Sequence, residues 1–84
     1  MEEIQNHLNE IEEMIKIYKI KIMKALKELP YSDKSRATLC DEVFNLRHQF
    51  NFQRKQNEYD KYFPDQTILI YRLLRRLTML ASLL

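Results

Sequence analysis

Glycine is missing from all 84 residues, and that absence constrains the fold more than any other feature of the chain. Without glycine the backbone has no inexpensive source of positive φ, which two-residue hairpins and phosphate-cradling loops need. Sheets of tight hairpins and P-loop sites are therefore disfavoured. Only Pro30 and Pro64 interrupt the sequence, and the apolar residues around them recur at helical spacing. Hydrophobic residues at 45% and charged residues at 31% suit a folded chain rather than a disordered one. The predicted fold is all-α: a three-helix bundle built on a long antiparallel helical hairpin plus a hydrophobic C-terminal helix, in one domain over residues 1–84.

Residues 1–29 hold no breaker, and Met1, Ile4, Leu8, Ile11, Ile15, Tyr18, Ile22, Ala25 and Leu29 recur at spacings of three and four, a sustained heptad stripe. Pro30 ends that helix, predicted over about 2–29, because it lacks an N–H and pushes the preceding residue out of α geometry. Pro30-Tyr31-Ser32-Asp33 reads as a turn in which Ser32 or Asp33 caps the next helix. The second helix is predicted over about 33–62, on Leu39, Val43, Leu46 and Phe50, with Cys40 and Phe44 widening the stripe. Its polar stretch 51–58 is where it would fray or bend. Pro64 marks the second break, and Asp65 is placed to cap a last helix over about 66–83.

That last helix is apolar on more than one face, beyond what a single hairpin covers. Ile70, Leu74, Leu77 and Leu80 are therefore expected to serve a client or oligomer interface. A membrane span is not expected, since Arg72, Arg75 and Arg76 fall in the middle of a segment slightly too short to cross comfortably. A domain of this size buries only about 60% of its unfolded surface, so its stability is expected to lean on a partner.

The net charge of +2 is an average over two unlike parts. Residues 1–13 carry five glutamates and no base, whereas residues 14–84 carry fourteen bases against seven acids. Lys16, Lys19, Lys24 and Lys27 decorate the first helix, Arg47, Arg54 and Lys55 the second, and three arginines the last. Such a surface suits an acidic protein or a phosphate, although solvation alone accounts for any single base. The bases are scattered and no helix-turn-helix with a glycine turn occurs, so nucleic acid is not the expected partner. His7 and His48 lie far apart and read as surface histidines rather than metal ligands.

No constellation for catalysis occurs: no nucleophile stands beside a base, no Gly-rich loop exists, and Glu12-Glu13 and Asp41-Glu42 read as solvated helix faces. The chain is thus expected to be non-enzymatic and to act by binding. Cys40 is the only cysteine, so no intrachain disulfide forms and a reducing or matrix-like compartment fits best. Among Leu39, Val43 and Phe44 it reads as a small packing residue. The acidic opening resembles neither a secretory signal nor an uncleaved mitochondrial presequence.

One spacing adds to this reading: Ile17-Tyr18-Lys19 on the first helix, Leu29-Pro30 at its end, then Arg47 and Phe50 on the second with Arg54-Lys55 behind. Over about residues 14–80 this resembles the LYR-motif family of small mitochondrial adaptor and assembly proteins, with Ile for Leu at 17 and Lys for Arg at 19. The run Ile70-Tyr71-Arg72-Leu73-Leu74-Arg75-Arg76-Leu77 is similar to the closing helix of its small members. The resemblance implies a non-enzymatic adaptor that binds mitochondrial acyl carrier protein and a client in respiratory-complex, iron–sulfur or mitoribosome assembly. It implies that Lys16, Lys19, Arg47, Arg54 and Lys55 meet the carrier's acidic face, and that Tyr18 and Phe50 line or approach a channel for the carrier's acylated phosphopantetheine. No cofactor is then bound directly, and the location is the mitochondrial matrix or a matrix-side complex. The residues equally suit an unrelated cytoplasmic helical interaction module, a coiled-coil subunit or regulator that buries the last helix in a homodimer or against another protein partner.

Overall fold

Asp33 sets the first corner of the molecule. Its backbone is extended and its carboxylate accepts a 2.8 Å hydrogen bond from the Ser35 N–H, which satisfies one of the free donors at the start of a helix. The computed structural model describes residues 2–84 as four helices and is 88% helical, with no strand among the described residues. These are α1 (Glu2–Glu28), α2 (Lys34–Gln56), α3 (Tyr59–Tyr62) and α4 (Pro64–Ser82). The whole measures 45 × 17 × 15 Å.

The all-α bundle expected from the glycine-free sequence is present, with two corrections to its anatomy. The second predicted helix, 33–62, stops at Gln56. Asn57 and Glu58 break it, Glu58 adopts the left-handed conformation (φ 53°, ψ 40°), and a single turn, α3, follows at an angle. Pro64 does not separate α3 from a helix capped by Asp65. It is itself the first residue of α4, with Phe63 as the N-cap, because a proline at the first helical position forfeits only an N–H that would have no partner there.

The packing differs as well. A long α1–α2 hairpin was the expected frame, yet α4 makes the extensive interfaces, one with each long helix, while α1 and α2 meet along a shorter seam. The core accordingly draws Ile4, Leu8, Ile11, Ile15 and Ile22 from α1, Val43 and Phe50 from α2, and Ile70, Leu73, Leu74, Leu77 and Ala81 from α4. The heptad stripe of α1 is buried as its spacing implies, apart from the half-buried Tyr18 and Leu29, and Met1, which lies outside the described residues. Arg36, itself buried, ties the lower ends together: its two terminal nitrogens donate to the carbonyls of Leu29 and Leu84, carbonyls left without helical partners at the ends of α1 and α4.

Candidate functional site

The residues proposed for docking a carrier do not gather into one patch. Lys16 and Lys19 are exposed on α1, and Lys19 overlooks α4 beside Arg76 and Met79. Arg47 lies on another side of the bundle. It stands one heptad after Cys40, whose Sγ is 3.8 Å from the Ala81 carbonyl of α4, and one heptad before Arg54, which stacks on Tyr71 of α4. Arg47 is half-buried there and its Nε is enclosed without a hydrogen-bond partner.

Arg54 is withdrawn from any docking role by its own surroundings. Only 5% exposed, it pairs with Asp60 and donates to the Asn51 side chain from Nε and from a terminal nitrogen. A desolvated guanidinium is held this way because burial without acceptors would be too costly. Lys55 remains exposed above the elbow formed by Glu58 and Asp60.

Tyr18 and Phe50 belong to different levels of the α1–α2 seam. The Tyr18 hydroxyl donates to a Glu42 carboxylate oxygen at 3.4 Å, and the Lys21 ammonium stands 5.0 Å from its ring. Burial, then the Glu42 charge and hydrogen bond, push that hydroxyl above its ordinary pKa. Phe50 is buried edge-on against His7, 5.7 Å between centroids. His7 and Tyr18 are separated by about three turns of α1, roughly 16 Å, and the buried Ile11, Ile15 and Val43 pack into the same core cluster.

His7 corrects the sequence reading, which placed it on the surface. It is 6% exposed, wedged between Phe50 and Tyr59, and its Nε2 has no hydrogen-bond partner. Burial holds its pKa below the ordinary histidine value, with Glu10 pulling the other way. His48 is exposed, and no group of three or more His, Cys, Asp or Glu among the described residues is placed to hold a metal ion.

Ile70, Leu74 and Leu77, expected to face a client, point into the chain's own core, at 0%, 3% and 0% exposure; Leu80 is half-buried at the edge. Helix α4 sits between two helices instead of on one side of a hairpin, and it needs those side chains for both. What it leaves outside is a different row: Leu69, Arg72, Arg76, Met79 and Leu83, at the three-four spacing of a single helix face. Ile68 and Arg75 flank that row. Leu69, Met79 and Leu83 are about half exposed.

This face borders a groove along α1, made of two depressions of about 320 and 290 Å³ that both reach Arg76. Among the described residues the ion pairs are Arg54–Asp60 and Glu58–Lys61, so Arg72, Arg75, Arg76 and Lys19 stand without one. The signal was in the sequence, as a second three-four stripe in residues 69–83 running beside the more hydrophobic one.

Larger and more open crevices line the α1–α2 seam. One of about 450 Å³ near the first corner is edged by Lys21, Lys24, Glu28 and Glu42. No helix among the described residues is long and apolar enough to cross a membrane. No family model, no curated protein and no solved structure matches the chain.

Proposed function

We propose that this chain is a non-enzymatic helical interaction module that receives an acidic protein partner on the outer face of α4. The observation that carries this reading is the combination of three exposed arginines without ion pairs, Arg72, Arg75 and Arg76, with the half-exposed aliphatic residues Leu69, Met79 and Leu83. Aliphatic surface supplies the gain on binding. Interspersed cations select the sign of the partner and speed its approach.

An acylated acyl carrier protein is the specific acidic partner that the LYR resemblance implies, with the mitochondrial matrix or a matrix-side complex as the location. Lys19 supports that reading, being exposed and next to Arg76 at the same groove. Arg54 does not contribute to it, and Arg47 faces elsewhere, so the docking surface becomes Lys19 with the α4 arginines. The test is coexpression of the tagged chain with an acylated carrier, followed by mass measurement of what copurifies. The carrier is expected to copurify at low salt and to be lost on joint charge reversal at Lys19, Arg72 and Arg76, with circular dichroism unchanged. Absence of the carrier at low salt rejects the carrier and leaves the more general module.

A further inference from the structure

We propose that the groove between α1 and α4 docks an amphipathic, acidic helix of the partner protein; this rests on the interaction-module reading and names its surface and the partner's chemistry. Geometry comes first. The groove runs from Gln5 and Leu69 at one end to Lys19 and Leu83 at the other. Its two walls thus advance in the same direction and by the same fourteen residues. At 1.5 Å per residue that is about 21 Å, the length of a docked helix of about four turns.

The groove is lined by Leu8, Ile15, Leu73 and Leu80, and its α4 rim repeats side chains at three-four spacing, the pattern that meshes with another helix. A helix laid there would cover the exposed parts of Leu69, Met79 and Leu83 and add a fourth long helix to α1, α2 and α4.

Charge then selects the occupant. Lys19, Arg72 and Arg76 line the groove against a single carboxylate, Glu12, and among the described residues none of the three cations has an ion pair. A neutral or basic helix would desolvate them without compensation. An acidic helix with carboxylates one turn apart meets Arg72 and Arg76, themselves one turn apart, in charge-assisted hydrogen bonds. A second copy of the chain fits less well. Antiparallel two-fold pairing of α4 on α4 sets Arg72, Arg75 and Arg76, all near the helix midpoint, against their own images.

The experiment is fluorescence anisotropy of the full chain with a labelled synthetic helix of about 18 residues, carrying leucine at a and d positions and glutamate beside them. Companion peptides replace every Glu by Lys or every Leu by Ser. Saturable binding of the acidic amphipathic peptide alone is expected. Arg72→Gln with Arg76→Gln should weaken it by at least about tenfold, whereas Arg75→Gln, which lines neither depression, should weaken it far less. Both are exposed neutral changes, and circular dichroism checks that the helices remain.

Equal binding of the lysine peptide overturns the proposal, as does equal loss with Arg75→Gln. A sedimentation mass of two chains with the groove closed to the peptide does so too, giving the surface to a second copy. If the peptide binds as expected while no acyl carrier copurifies, the groove stands and the carrier reading falls. If the carrier copurifies but the peptide does not bind, the groove proposal is the one that fails.

Discussion

The guanidinium of Arg54 on α2 stands 4.7 Å from the ring centroid of Tyr71 on α4, while both side chains bond the same Asp60 carboxylate oxygen. The three residues join α2, α3 and α4 at the elbow where Glu58, rather than a glycine, takes up left-handed backbone. The hydrogen bond from Arg54, aided by that from Tyr71, holds the Asp60 carboxyl below its ordinary pKa. Arg54→Ala is expected to destabilise the fold by about 1–3 kcal/mol. The cost stays below that of breaking a fully buried pair because Asp60 is half exposed and water would solvate it. Arg54→Lys should recover part of the loss, since an ammonium lacks the planar fork that reaches Asn51 and Asp60 together. Urea denaturation of the three proteins provides the measurement.

Glu58 occupies left-handed backbone at the same elbow, where a Cβ crowds the following carbonyl. Glu58→Gly is expected to raise stability by up to about 1 kcal/mol, the strain relieved being partly offset by glycine's greater entropy loss on folding. The Glu58–Lys61 pair that disappears is exposed on both sides, 3.8 Å apart, and contributes little. A lower melting temperature for Glu58→Gly would show that the elbow does not need this conformation.

Leu74 and Leu77 should behave as core residues and Leu80 as an edge residue. Alanine at either of the first two is expected to cost about 2–5 kcal/mol. Leu80→Ala should cost less, because that side chain is only half-buried and its site opens to the groove. Equal denaturation midpoints for the three variants would contradict this arrangement of α4.

His7 gives the fold a pH dependence. Its pKa is lowered in the folded chain, so the unfolded chain binds the extra proton more readily. Stability is therefore full above the ordinary histidine value of 6.5 and is lost as pH falls from there through the lowered folded value. Glu10, which pulls the pKa upward, narrows that window, and the Glu3 carboxylate acts on the neighbouring Tyr59. Comparing denaturation midpoints at pH 7.5 and pH 5.5, His7→Leu is expected to remove most of the decline seen in the parent chain. An unchanged decline would assign it to the carboxylates instead.

Much of the architecture was legible in the sequence. The all-helical fold follows from local properties: no glycine for tight turns, two prolines, and apolar spacings that only a helix gathers onto one side. Asp33 at the first corner is equally local, because an N-cap is satisfied within two residues. The polar stretch Asn51 to Glu58 marked where α2 would bend, but its exact end at Gln56 was not legible, since the contacts of Arg54 with Asp60 and Tyr71 that accompany the bend form only in the folded chain.

The pairing of helices was settled only by tertiary structure. Heptad stripes say that a helix buries a face but not against which neighbour, so a hairpin of α1 with α2 and the observed bundle centred on α4 shared one sequence pattern. That choice buried His7 and Arg54, took Ile70, Leu74 and Leu77 into the core, and separated Lys19 from Arg47. It also left Arg72 and Arg76 outside with Leu69, Met79 and Leu83. Periodicity determined which residues share a helix face; which face met water depended on volumes and charges brought together from distant parts of the chain, and those become neighbours only when it folds.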